Sequence, residues 1–282
     1  MPPASVPRPG IIMPRNLITL AVGFVATLTT FSTARGDGPP EVVEIASSFK
    51  SGDVTIAVER FDPAAPPANA QRPAVVILHG AGGMAIGGPA FREFAEALAR
   101  RGNTALIVHY FDRTGTKPGD LADAVGPGAR NPKKILTNFP AWMDTVRDAV
   151  AHARSLPEVD PARVGLLGFS LGSYLALSES SRNPKVAAVV EYFGGLPSVL
   201  GTLAVRMPPT LILHGEQDRT VPVAQARDLE RLYSARKFPF EIRIYPDQGH
   251  GFQGEDGKDA ARRALAFFDT HLRPVADGAA RP

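Results

Sequence analysis

The sequence predicts an α/β protein built on one mostly parallel, twisted sheet with helices on both faces. Three observations carry this reading. From residue 74 onward short apolar runs rich in β-branched residues recur, amphipathic helical stretches alternate with them, and Gly- or Pro-containing turns separate the two. Such alternation indicates βαβ units, whose parallel strands are buried on both faces and read as continuous apolar runs.

The elements follow in order. Residues 41–61 predict an antiparallel hairpin, EVVEIASSF and VTIAVERF around a Ser51-Gly52-Asp53 turn. The proline-rich stretch 63–73 is a loop, and AVVILHG (74–80) is the first parallel strand. AFREFAEALARRG (90–102) is an amphipathic helix closing on a glycine C-cap, and TALIVHY (104–110) is a strand. A Gly/Pro-rich excursion, 111–138, is expected to cover or shape a site. Beyond it come helix 141–155, strand 164–169, helix 171–182, strand 186–193, strand 210–215, helix 223–234, strand 240–245 and helix 258–272. The connection between Tyr192 and Thr210 leaves no room for a large cap domain. Residues 35–282 therefore read as one domain with an ordered core at about 40–273, and the tail from 274 as disordered.

Composition narrows the function classes. The chain has 31 basic and 28 acidic side chains, and Arg8 and Arg15 are the only charges in the first 34 residues. The remainder is near neutral and has no lysine–arginine cluster, so no nucleic-acid partner is expected. Cysteine is absent, which removes disulfides, thiolate ligands and a cysteine nucleophile. Residues 1–34 read as a secretory signal: Arg15 precedes an apolar run at 17–28, and Ser32 and Ala34 take the −3 and −1 positions of a cleavage site. That run is shorter than the roughly 20 apolar residues that span a bilayer. The expectation is a secreted or periplasmic protein with no stable membrane insertion after processing. A retained anchor is the alternative.

The chemistry concentrates in four motifs. Gly168-Phe169-Ser170-Leu171-Gly172 fits G-x-S-x-G and joins an apolar strand to an amphipathic helix, the context that exposes a nucleophilic serine on a strained turn. A serine hydroxyl needs a base, and of six histidines His250 lies in a Gly-flanked loop, DQGHGF (247–252), directly after the last strand. Asp218, in HGEQDRTVP (214–222), is the expected partner of that imidazole, with Asp247 and Glu216 as alternatives. The order Ser170, Asp218, His250 is nucleophile, acid, base. An oxyanion hole would use the amide of Leu171 and one from HGAGGM (79–84), that of Ala81 or else Gly82. Tyr110, Phe111 and Tyr192 follow strand ends and are expected either to line the substrate site or to belong to the core. HGAGG lacks the Lys-Ser/Thr of a phosphate loop, no G-x-G-x-x-G occurs, and no cluster has metal-ligand spacing, so neither cofactor nor metal is expected.

Together HGAGGM, VDPARVGLLGFSLGSYLAL, HGEQDRTVP and DQGHGF resemble the dienelactone hydrolase family of α/β-hydrolases, over most of residues 40–272. The resemblance implies the α/β-hydrolase fold and hydrolysis of a small-molecule ester or lactone through an acyl-enzyme. The family's founding enzymes carry a cysteine where this chain has Ser170, and a glutamate in the oxyanion loop where Gly80 stands here, which implies ordinary serine esterase chemistry. A prolyl-oligopeptidase-type peptidase and a non-catalytic binding protein on the same scaffold are the competing readings. The sequence specifies no oligomeric state.

Overall fold

The computed structural model describes residues 41–65, 71–126, 129–197, 200–201 and 204–273. The signal segment at 1–34 and the tail from 274 lie outside the described residues. Eight strands form one sheet: β1 (Val42–Ser51), β2 (Val54–Pro63), β3 (Arg72–Leu78), β4 (Thr104–Val108), β5 (Val159–Phe169), β6 (Ala188–Tyr192), β7 (Thr210–Gly215) and β8 (Phe240–Tyr245). Their order across the sheet is β1-β2-β4-β3-β5-β6-β7-β8. The hairpin β1–β2 is antiparallel and joins antiparallel to β4, and every later pairing is parallel.

Among the described residues, helices α1 (Gly88–Arg100), α2 (Lys133–Ser155), α3 (Leu171–Ser180), α4 (Ala224–Arg236) and α5 (Gly254–His271) cover the sheet. Strand side chains alternate between the two faces, as the pleat requires. Val76, Leu78 and Leu166 pack with Trp142 and Val146 of α2, Leu175 of α3 and Leu229 of α4. Val75, Ile77 and Leu167 pack with Phe91, Phe94 and Leu98 of α1 and Ala264 and Phe268 of α5. The central strands are buried along both faces, which is why their sequences show no polar alternation.

The structure moves some predicted boundaries. Helix α2 starts at Lys133 rather than 141 and runs through Pro140, so the excursion after β4 is shorter than its composition suggests. Proline usually breaks a helix because it lacks an N–H. Here Ile135 and Phe139, on the added turns, pack against the core cluster and outweigh that loss. Helix α5 starts at Gly254 rather than 258. Residues 193–209, between β6 and β7, leave no space for a cap domain, and none is present among the described residues. Among these residues no helix is long and apolar enough to cross a membrane.

The topology sets the site. Parallel strands β3, β5, β7 and β8 all release their chain at one edge, so residues 79–84, 170, 216–222 and 246–253 emerge side by side. Helix α3 lies directly on the backbone there. A Cβ on Gly172 would sit 2.2 Å from the Leu78 carbonyl oxygen, a separation no side chain permits.

Candidate active site

Ser170 occupies the turn between β5 and α3 with φ 52° and ψ −115°, a conformation that costs a non-glycine residue about 1–3 kcal/mol. The turn is held from three directions. Ser170 N–H donates to the Tyr192 carbonyl (2.9 Å), while the Ser170 carbonyl accepts from Ser173 N–H (2.9 Å) and Tyr174 N–H (3.2 Å). The strain lifts the hydroxyl out of the sheet edge toward the loop that follows β8.

In that loop His250 faces Ser170. Its Nε2 is 2.9 Å from Ser170 Oγ, and its Nδ1 is 2.7 Å from Asp218 Oδ2. The Asp218 carboxylate is fully buried, whereas the imidazole is 11% exposed. Oδ1 of Asp218 accepts from the backbone N–H groups of Thr220 and Val221, both at 2.8 Å, which fixes the carboxylate plane and leaves Oδ2 for the imidazole. His214 stands 3.5 Å from Oδ2 and donates Nε2–H to the Val221 carbonyl (2.8 Å). Burial holds His214 below the ordinary histidine range, so it remains a neutral wall beside the carboxylate. The two loops meet because residue 215 has no side chain: a Cβ on Gly215 would lie 2.4 Å from the carbonyl oxygens of Gln248 and Gly249.

The alternatives for the acid are placed elsewhere. Glu216 is bound by Arg227 through both oxygens (2.9 and 2.8 Å), and Asp247 is solvent-exposed.

Among the described residues no acceptor takes up the amides of Leu171, Ala81 or Gly82. Leu171 opens helix α3, where the first amides have no intrahelical partner and carry the positive end of the helix dipole. The 79–84 turn closes on itself by Gly83 N–H to the Gly80 carbonyl (3.0 Å), and a Cβ on Gly80 would touch Ser170 Cβ at 3.4 Å. His79 braces this turn: its Nδ1 donates to the Gly80 carbonyl (2.8 Å), and its ring stacks on Tyr110 at 4.1 Å. Burial pushes His79 down to about 4, so it is uncharged at neutral pH.

The expectation that Tyr110, Phe111 and Tyr192 line the substrate site is corrected. All three are core residues, and none borders a cavity at Ser170. Tyr110 donates its hydroxyl to the His79 carbonyl (2.8 Å), and Phe111 packs on Trp142. Tyr192 stacks on Phe169 behind Ser170. These side chains support the site from below instead of facing substrate. Among the described residues no group of three His, Cys, Asp or Glu side chains is arranged to hold a metal ion.

Two residues beside the site were not singled out in the sequence. Glu191 is fully buried on β6, with Oε2 accepting from Gly194 N–H (2.9 Å) and Oε1 unpartnered among the described residues. Phe193, held at φ 43° in the turn that this bond closes, packs its ring 4.8 Å from that of His250. Burial pushes Glu191 up to about 8. The one signal for it was an acid inside the apolar strand VAAVVEYF.

The profile of the dienelactone hydrolase family matches residues 63–271. A candidate carboxymethylenebutenolidase of Synechocystis sp. is 25% identical over 229 residues, covering 74% of this chain and 91% of the other. The structure of dienelactone hydrolase from Anabaena variabilis superposes with TM-score 0.65 at 21% identity, over 84% of this chain and 100% of that one. An acylaminoacyl peptidase from Pyrococcus horikoshii superposes with TM-score 0.64 at 16% identity, over 85% of this chain and 43% of the other. Both structures share the fold.

Two outcomes follow from the geometry. In Asp218→Asn the two amides that hold Oδ1 keep an oxygen there, so the side chain presents NH₂ to His250 Nδ1 and favours the wrong tautomer. Any hydrolytic kcat should fall about ten-thousandfold, with Asp247→Asn and Glu216→Gln near wild type. Equal losses in all three variants would remove Asp218 from the site. For Glu191, the folded chain keeps a proton that the unfolded chain loses above its ordinary value of 4.5, so stability declines from there up to about 8. Glu191→Gln has no such decline. Its thermal midpoint relative to wild type should therefore rise between pH 5 and pH 8, and a constant difference would contradict the buried, protonated carboxyl.

Proposed function

We infer the activity from one premise: the chain belongs to the dienelactone hydrolase family. On that premise the protein is a serine hydrolase of small-molecule carboxylic esters or lactones, with Ser170, His250 and Asp218 as its catalytic residues. The single observation that carries this is the unbroken chain Ser170 Oγ, His250 Nε2, His250 Nδ1, Asp218 Oδ2, with both links within hydrogen-bonding distance.

The steps follow from the atoms. As Ser170 Oγ bonds to the substrate carbonyl carbon, His250 Nε2 takes the hydroxyl proton and the carbonyl π pair moves onto its oxygen. The free amides of Leu171 and of Ala81 or Gly82 stabilise that oxyanion, and Asp218 stabilises the imidazolium. Collapse re-forms the carbonyl, breaks the bond to the alkoxy oxygen and returns the His250 proton to it. Water then attacks the acyl-enzyme by the same route, releasing acid and free Ser170. None of these steps draws on a metal or cofactor. A peptidase reading draws on superposed peptidases such as the Pyrococcus enzyme, of which the chain covers less than half, so the esterase reading is preferred.

We propose further that residues 1–34 are removed on export and that 35–282 form one catalytic domain in the periplasm or medium. The support is the signal-like pattern of residues 15–34.

Ser170→Ala should lower kcat on a simple ester by about a millionfold, leave the fold intact and abolish labelling by a fluorophosphonate probe. Retention of more than a few per cent of activity in pure protein would overturn the assignment. For export, mass spectrometry of protein from the periplasm or medium of an exporting host should give an N-terminus near Arg35. A full-length chain confined to the cytosol would refute it.

A further inference from the structure

Two cavities share Ser170 in their walls. One, of about 110 Å³, is bounded by Gly80, Ala81, Ile86, Phe91, Phe193 and His250. The other is a groove of about 710 Å³ whose wall includes Ile135, Leu136, Phe139, Met143, Leu171 and Leu200. Val125 and Thr220 belong to both walls. A dry enclosed cavity of about 150 Å³ admits a benzene ring, so the smaller space, which is partly open, suits a short alkyl group better than an aromatic one. The groove lies within the range of about 300–1,000 Å³ usual for small-molecule sites.

Chemistry assigns the two spaces to the two halves of an ester. The leaving oxygen must receive the proton held on His250 Nε2, so the alkoxy group departs on the imidazole's side. His250 borders the small cavity and, among the described residues, not the groove. The acyl chain is left with the groove, which begins at Leu171 beside the nucleophile. Both spaces also carry uncovered apolar side chains: Ile86 is 41% exposed on the small cavity and Leu136 70% exposed on the groove. Each continues the apolar wall around it, and a contiguous apolar surface at a concave site marks contact with an apolar partner.

Charge points the same way. Among the described residues the wall of the small cavity holds no Lys, Arg, Asp or Glu. The groove holds one of each sign, Arg182 and Asp144, and the Glu179 carboxyl lies within electrostatic reach of Arg182. An anionic acyl tail would meet a cation that Glu179 already opposes.

The geometry points to an esterase of neutral substrates that seats a long apolar acyl chain in the groove and a short alcohol in the small cavity. This rests on the function proposed above.

Methyl octanoate and heptyl acetate are isomers that exchange the two chain lengths, and their kcat/KM can be compared by pH-stat titration below their solubility limits, with Ser170→Ala as the blank. A fully buried methylene is worth about fourfold in binding, so the octanoate should be preferred by well over tenfold. Monomethyl suberate, which ends the same acyl chain in a carboxylate, should be a poorer substrate than methyl octanoate. Leu136→Asp should lower the ratio of methyl octanoate to methyl acetate hydrolysis, and Ile86→Ala should raise that of propyl to methyl esters. Ser170-dependent hydrolysis with equal or reversed preference for the isomers, or a preferred suberate, would overturn this inference and leave the proposed function standing. No Ser170-dependent hydrolysis of any of these esters would overturn both.

Discussion

The strained turn at Ser170 is the constraint on which the site depends. Serine at φ 52° persists because its neighbours leave no alternative conformation. Gly172 lets α3 rest on the Leu78 carbonyl, β6 accepts the Ser170 amide through Tyr192, and the first amides of α3 take up the Ser170 carbonyl. One backbone conformation thereby fixes three things: the direction of Oγ, the free amide of Leu171, and the distance between α3 and the 79–84 turn. Strain is tolerable there because two buried faces of sheet and helix surround the turn and leave it no room to relax.

Asp218 and His250 are brought to that serine by a second close contact, between the loops after β7 and β8. With only hydrogen at Gly215, the His250 loop lies against the Asp218 loop, and neighbouring parallel strands keep both loops at one edge. The carboxylate then has a single oxygen for the imidazole, because two backbone amides hold the other. Asp218 is thus oriented before any substrate binds, which is the arrangement that stabilises charge without reorganisation.

Burial disposes of competing charges nearby. Desolvation keeps His79 and His214 uncharged and raises Glu191 to about 8, so at neutral pH the buried carboxylate of Asp218 faces His250 without a second buried anion on β6 beside it. The same apolar surroundings shape the cavities at Ser170. Beyond Ser170, His250 and the free amides the wall of the small cavity is mostly aliphatic and aromatic, whereas the groove also carries Asp144 and Arg182.

Much of this was legible in the sequence because it is local. The G-x-S-x-G turn depends on a few consecutive residues, and the apolar strand runs, the 51–53 hairpin turn and the Gly-flanked loop of His250 are written by periodicity and composition. Tertiary structure decided what depends on partners far along the chain. It placed β4 between β2 and β3, an order set by which strand edges pair. It carried α2 through Pro140, since packing of Ile135 and Phe139 outweighs one missing hydrogen bond. It turned Tyr110, Phe111 and Tyr192 into the core, because closeness to a strand end says nothing of the direction a side chain takes. It set Asp218, rather than Glu216 or Asp247, against His250, through the burial and backbone amides that only the folded loop supplies. A sequence names the groups able to react, but distance and exclusion of water are properties of the assembled fold, and those two decide which of the groups do.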